Sequence, residues 1–255
     1  MSEAIYYNGS MGDKRHSADR SFVCRHVRTL GHRAILLDEH LEQLDIASYN
    51  LFGRASALSD TTTTAEAIAS LLEHNGYSDK LSHIIMLRAY ADGNYEIECI
   101  ETSIYDTLTL RALRPIAVAI RAYDECATFP SSATLATALL HREQALRQGA
   151  DVAITVDAEG RIGAIDGAEA VMVIDGRLIF SSRATAPEYK LLMRCALNLG
   201  REIECREIEE KELLRADEVW FVDYRGITAL ASYGSRHYAD IVAERLARHL
   251  DQFFR

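Results

Sequence analysis

Two adjacent serines at the start of a predicted helix are the first residues whose type and position could do chemistry. Ser131 and Ser132 follow Pro130 in the stretch FPSSATLATALLHREQALRQG, which ends at Gly149. A serine nucleophile needs a histidine–carboxylate pair and commonly a GxSxG turn, and no GxSxG motif occurs in the chain. Serine is also a preferred helix cap. The pattern therefore favours capping, and a hydroxyl that binds a ligand is the alternative.

Arginines on predicted strands are a second candidate group. Arg25, Arg28 and Arg88 each lie in an apolar stretch that predicts a strand. A guanidinium group binds carboxylate or phosphate through two parallel hydrogen bonds. Salt bridges within the protein explain these arginines equally well, so both interpretations stay open.

Amine chemistry is limited by the scarcity of lysine. The lysines of the chain are Lys14, Lys80, Lys190 and Lys211. Of these, Lys190 lies on a predicted helix, in PEYKLLMRCAL, where it is either a Schiff-base lysine or a solvated side chain.

Metal and disulfide chemistry receive no support from the sequence. The histidines form no HxH or HExxH pair, and the five cysteines form no CxxC pair. Cys24, beside Arg25, is either a reactive thiol or a buried structural cysteine. Reduced thiols and the lack of a secretory signal pattern favour the cytoplasm.

Composition excludes further classes of function. The net charge of −10 disfavours nucleic acids and anionic membranes as partners. No run of about 18 apolar residues is present, so the sequence predicts no membrane span.

Strands and helices that must position these residues can be read from hydrophobic periodicity. The first part predicts a strand, a hairpin at Gly31, two helices and a hairpin at Gly93. In the helix LDEHLEQLDIASYNLF, Asp38 is the expected cap and Gly53 the expected stop, with an inward face of Leu41, Leu44, Ala47, Ser48 and Leu51. The second part predicts strands that alternate with helices, and a closing helix that ends in the core or in a dimer interface.

Three segments resemble motifs of one family. LLDEHLEQLDIAS is similar to LDEHxxRLxxSA, REIEEKELLRADEVWFV is similar to a strand–helix–AdEvF segment, and YRGITAL is similar to rGIxPV. Their order and spacing resemble the class IV aminotransferases, which include branched-chain and D-amino acid aminotransferases and aminodeoxychorismate lyase.

The resemblance implies a mixed α/β (α+β) fold of the D-amino acid aminotransferase type. It implies a smaller N-terminal α/β domain, residues 1–110, and a larger C-terminal domain, residues 111–255, with a β-barrel-like core. It further implies a homodimer and the cofactor pyridoxal phosphate, held by a Schiff-base lysine, a carboxylate at the pyridine nitrogen, and an arginine and a helix start at the phosphate.

Several positions depart from the family pattern. The lysine position corresponds to Ser131, the carboxylate position to Ala164, and the family's asparagine to Glu169. The phosphate-binding arginine corresponds to Gln43. At the phosphate-binding helix start stand Ala186, Pro187 and Glu188, where proline removes an N–H donor and glutamate adds a negative charge.

These departures favour a divergent protein that is not a working transaminase and has no cofactor. It would bind a small anionic metabolite in the old cofactor pocket, or act as a binding or partner subunit; the ligand-binding candidates are Arg25, Arg28, Gln43, Arg88, Ser131 and Ser132. The first alternative is a pyridoxal-phosphate aminotransferase or aminodeoxychorismate-type lyase with a relocated lysine. The second is a cofactor-independent lyase or isomerase.

Overall fold

The computed structural model describes residues 3–13, 20–105, 107–122 and 129–254 of the chain. Its residues form two compact units, Met1–Asp106 with Phe129–Ala133, and Thr107–Thr128 with Thr134–Arg255. Lys14 and Cys126 lie outside the described residues.

The first unit is an antiparallel sheet of six strands in the order β2-β1-β6-β5-β3-β4. The strands are β1 (Ala4–Tyr7), β2 (Ser10–Asp13), β3 (Phe22–Leu30), β4 (Arg33–Ala34), β5 (Ser82–Tyr90) and β6 (Tyr95–Ser103). Helices α1 (Leu37–Phe52) and α2 (Thr61–His74) supply Leu41, Leu44, Ile68 and Leu71 to a core with Val23, Val27, Ile85, Leu87 and Ile97 of the sheet.

The ends of α1 differ in part from the expectation. The helix stops at Gly53, whose φ of 70° is the left-handed conformation that glycine adopts without strain. The expected cap at Asp38 is wrong, because the helix begins after Leu36 and Asp38 lies within its first turn. The inward position of Leu51 is also wrong, since this side chain is 43% exposed. Helix α2 is capped by Asp60, which accepts from the Thr63 backbone N–H at 2.7 Å.

The second unit contains two five-stranded sheets. The order β12-β11-β10-β13-β14 joins β10 (Glu169–Ile174), β11 (Arg177–Ser181), β12 (Ile203–Arg206), β13 (Glu218–Asp223) and β14 (Gly226–Ala229). The order β16-β15-β7-β8-β9 joins β7 (Ile116–Arg121), β8 (Val152–Val156), β9 (Ile162–Ile165), β15 (Ser232–Tyr233) and β16 (Arg236–His237). Both sheets contribute to one apolar cluster that includes Ile154, Ile165, Met172, Val219 and Phe221.

Helices connect the parallel strand pairs of this unit. Along the chain, helix α3 (Ser132–Arg147) follows β7 and precedes its parallel partner β8. Helix α4 (Pro187–Asn198) likewise follows β11 and precedes its parallel partner β12. A short 3₁₀ helix, Glu210–Leu214, precedes β13, and α5 (Ile241–Phe254) closes the chain. Within the described ranges, no helix combines the length and apolar character that a membrane crossing needs.

Candidate functional site

The serine segment is attached to β3. The Cys24 N–H donates to the Pro130 carbonyl at 3.0 Å, and Ser131 forms an isolated bridge with Val23. Ser132 is the first residue of α3, and its hydroxyl accepts from the Phe22 N–H at 3.5 Å. The buried Ser131 therefore stands at the cap position, while Ser132 contacts the strand.

Arg88 is neutralised by carboxylates of the neighbouring strand. Its guanidinium binds Glu96, its cross-strand partner, and lies 2.7 Å from Glu98 Oε2. Both glutamates are buried, and the Tyr90 hydroxyl donates to Glu96 at 3.1 Å. Burial lowers the pKa of Arg88, but the two carboxylates outweigh it and the net shift is upward. Arg88 is therefore a cation already held by two anions.

Arg28 ties strand ends together. The side chain is 1% exposed, and Nη1 donates to the Tyr105 carbonyl at 2.7 Å and to the hydroxyls of Ser82 and Ser103 at 3.2 and 3.3 Å. The hydrogen bonds of this nitrogen are thus made to groups of the protein itself.

Arg25 faces α1. Its Nη2 donates to Gln43 Oε1 at 3.5 Å, and both side chains are buried. The neighbouring Cys24 is buried too, and burial raises its pKa to about 12 even though Arg25 and Arg88 act in the opposite direction. A reactive thiol at Cys24 is therefore not supported. The assignment of Arg25, Arg28, Gln43, Arg88, Ser131 and Ser132 as ligand-binding residues stays a prediction.

Amines are remote from the interior in the described part of the chain. Lys80, Lys190 and Lys211 are all exposed, and Lys190 lies on the outer side of α4.

Ala164 lies on β9, opposite Thr155 of β8. The Thr155 hydroxyl is 3.2 Å from His141 Nδ1. The nearest carboxylate along the chain, Asp166, binds Arg142 through two guanidinium nitrogens, with Nε at 2.9 Å. This hydrogen-bonded pair raises the pKa of Arg142. Asp166 is therefore committed to an ion pair.

Glu169, at the position of the family's asparagine, makes a contact that the sequence did not predict. Its carboxylate oxygen Oε1 accepts from the backbone N–H groups of Thr185 and Ala186, the latter at 2.9 Å. Ala186 is the N-cap of α4, and Pro187 is the first helical residue. The helix start that the family resemblance associates with a phosphate is thus bound by a side chain of the protein itself.

The rest of the α4 start is closed by packing. Glu188 is buried, and so is Tyr189, whose hydroxyl donates to the Ala170 carbonyl at 3.0 Å and accepts from the Ser181 N–H. Burial, with a further contribution from Glu169, raises the pKa of Tyr189. The sequence predicts that Pro187 and Glu188 disfavour an anion here, and Glu169 in addition binds the N–H groups of Thr185 and Ala186. Among the described residues, no group of three or more histidine, cysteine or acidic side chains could hold a metal ion.

Comparison with known sequences gave no match, neither to a family model nor to a curated protein. Comparison with solved structures gave close matches to branched-chain aminotransferases. The enzyme of Thermoproteus uzoniensis, solved with norvaline, superposes with a TM-score of 0.83 at 17% identity over 99% of this chain and 94% of the other. The Escherichia coli enzyme superposes with a TM-score of 0.79 at 17% sequence identity, over 100% of this chain and 94% of the other. The T.th. enzyme, complexed with N-(5'-phosphopyridoxyl)-L-glutamate, superposes with a TM-score of 0.80 at 19% sequence identity, over 98% of this chain and 93% of the other.

Sequence identities of this size establish the fold and nothing finer. The mixed α/β fold expected from the sequence motifs is confirmed. The chain has the class IV aminotransferase fold that these branched-chain aminotransferases share.

Proposed function

We propose that this protein keeps the class IV aminotransferase fold but is not a pyridoxal-phosphate transaminase, and that it serves as a binding or partner subunit. The observation that supports the proposal is the burial of Ser131, the residue that the family resemblance aligns with the lysine. A hydroxyl cannot replace the amine of a Schiff base. Of the described lysines, all are exposed, so a relocated amine has no support.

The cofactor does not fit the residues at the corresponding positions. Its phosphate would compete with the Glu169 carboxylate for the N–H groups of Thr185 and Ala186, beside the buried Glu188. Ala164 offers no carboxylate to a pyridine nitrogen. The solved structure complexed with a phosphopyridoxyl compound is only 19% identical to this chain in sequence, so structural similarity alone does not imply that this chain binds the same ligand.

Geometry gives less support to an anionic ligand on the predicted arginines. Arg88 is held by Glu96 and Glu98, and Arg28 donates to Ser82, Ser103 and Tyr105. An anion would have to displace these contacts. We therefore favour a protein partner or a second copy of this chain over a small anionic metabolite, and over a cofactor-independent lyase or isomerase that would need convergent arginines.

Homodimerisation, in the cytoplasm, is part of this proposal. Helix α3 supports it, because Leu139, Leu140 and Leu146 are exposed on its surface. Sedimentation equilibrium of the purified chain tests it: a dimer is expected, and a monomer at all concentrations contradicts this part.

The test of the main proposal is incubation with pyridoxal phosphate, followed by borohydride and peptide mass spectrometry. We expect no stoichiometric adduct and no transamination of branched-chain amino acids, with the Escherichia coli enzyme as positive control. The Lys190→Ala variant is the matched control for reaction of an exposed amine. A stoichiometric adduct on one lysine, together with transamination, would overturn the proposal in favour of the relocated-lysine alternative.

A further inference from the structure

The start of α4 lies beside a carboxylate from the adjacent sheet. The first N–H groups of a helix lack partners within the helix and, with the helix dipole, attract negative charge. Here Pro187 has no N–H, and the N–H groups of Thr185 and Ala186 both point to Oε1 of Glu169. The carboxylate therefore takes up the two N–H groups that immediately precede the first helical residue of α4.

Glu169 is held firmly in that position. It begins β10, a central strand that pairs with β11 on one side and β13 on the other, with Glu169 opposite Val222. The pairing with Val222 fixes the backbone that carries this carboxylate, and the two N–H groups of Thr185 and Ala186 hold its Oε1. An incoming anion would have to replace it, not merely join it.

A second carboxylate in the same sheet shows what a purely structural version looks like. Glu218, on β13, accepts from the N–H groups of Val242 at 2.7 Å and Ala243 at 3.1 Å, at the start of α5. Glu218 is 3% exposed, whereas Glu169 and its donors Thr185 and Ala186 are half-buried. The carboxylate at the start of α4 is thus more exposed than the one at the start of α5, although the donor Val242 at the start of α5 is half-buried as well.

We propose that the start of α4 is an anion site filled from within: Glu169 excludes phosphate from it, and removal of this carboxylate opens it to inorganic phosphate. The inference deepens the proposed function and rests on it, since it gives the reason why a phosphorylated cofactor is refused. The start of α4 would then bind a tetrahedral oxyanion in a variant without the Glu169 carboxylate, and would bind none in the natural chain.

The experiment measures phosphate binding by the thermal shift of wild type, Glu169→Ala and Glu218→Ala, each against chloride at equal ionic strength. Phosphate stabilises most proteins a little, and Glu218→Ala reports this general effect in a chain that has lost a similar carboxylate. For Glu169→Ala we expect saturable stabilisation and phosphate affinity at least about tenfold above wild type, because a charge-assisted hydrogen bond is worth at least that factor. Equal phosphate responses in a folded Glu169→Ala and in wild type overturn the inference.

Glu169→Gln keeps the test decisive where the alanine variant does not fold. It retains the size and an acceptor oxygen but removes the charge. We expect a lower unfolding temperature than wild type and a phosphate response above that of wild type; unchanged stability with no phosphate response overturns the inference. A covalent cofactor adduct in the natural chain would contradict the proposed function, because it requires a suitably placed amine. The absence of stronger phosphate binding in the Glu169 variants would contradict only the role given to Glu169.

Discussion

At the scale of single residues, Arg28 shows how a side chain predicted to bind a ligand can serve the fold. Lysine in its place would keep the charge but lose the planar donor group that reaches Tyr105, Ser82 and Ser103. We expect Arg28→Lys to lower the free energy of unfolding by about 3 kcal/mol, since buried donors and acceptors would be left unpaired.

Urea unfolding of Arg28→Lys measures this loss. Arg33→Lys is the matched control, because Arg33 is exposed on the neighbouring strand β4 and its replacement should change stability by less than about 0.5 kcal/mol. Equal stabilities for the two variants would show that the contacts of Arg28 contribute nothing.

Thiol reactivity should separate Cys24 from Cys205. Burial raises the pKa of Cys24 to about 12, so almost none of it is thiolate at neutral pH, whereas Cys205 is exposed. Brief alkylation of the native protein, read by peptide mass spectrometry, should modify Cys205 and leave Cys24 intact until denaturant is added. Labelling of both at one rate would contradict the buried position of Cys24.

At the scale of elements, the β13–β14 hairpin depends on one glycine. Gly226 has a φ of 120°, and a methyl group on it would lie 2.5 Å from the Thr109 carbonyl oxygen, which accepts from the Ile227 N–H. Both the backbone conformation and the contact with a carbonyl exclude a side chain. We expect Gly226→Ala to cost about 3 kcal/mol of stability.

Gly163→Ala in β9 is the control for this glycine. Its methyl group would lie 3.8 Å from the Thr155 carbonyl oxygen, an ordinary contact, and its φ is not in the left-handed region. Thermal unfolding should give a cost below about 1 kcal/mol. A Gly226→Ala protein as stable as Gly163→Ala would mean that the hairpin tolerates a side chain.

Helix ends illustrate which local features a sequence reveals. The stop at Gly53 follows from the permissive backbone of glycine, and it was predicted correctly. The start of α1 was not predicted correctly, because Leu36 adopts a left-handed φ of 53°. Leucine rarely adopts this conformation, so its presence in the sequence does not indicate such a turn. Tertiary packing imposes that turn, and no local preference predicts it.

At the scale of the whole molecule, the fold was predictable because its signals repeat along the chain. Motif order, strand alternation and helix periodicity all indicated the same mixed α/β fold, which the structural neighbours share. The site was less accessible, because its contacts join distant positions. Arg28 and Ser103 are 75 residues apart, Arg142 and Asp166 are 24 apart, and Glu169 and Ala186 are 17 apart. Periodicity gives the face of a strand, but it does not say which partner a charge on that face meets.

Resistance of the fold to acid should depend in part on an ion network in the second unit. Glu207 accepts from Arg183 at 2.6 Å and from Arg161 at 3.2 Å, and Arg161 also binds Asp157 at 2.8 Å. The hydrogen bond from Arg183, with a further contribution from Arg161, lowers the pKa of Glu207 below its usual 4.5. The network connects the turn before β9 with the segments that follow β11 and β12.

The direction of the pH effect follows from that lowered pKa. The unfolded chain takes up a proton at Glu207 at a higher pH than the folded chain does, so the contribution to stability is complete above about pH 5 and disappears as pH falls through the lower, folded pKa. Glu207→Gln should therefore unfold at lower urea concentration than wild type at pH near 7, and the difference should shrink in acid, as the pH falls through the lowered pKa of Glu207. Glu244→Gln, which removes one exposed pair with Arg248, should differ little from wild type at neutral or acidic pH. A gap between Glu207→Gln and wild type that persists in acid would mean that Glu207 stabilises the unit by packing and not by its charge.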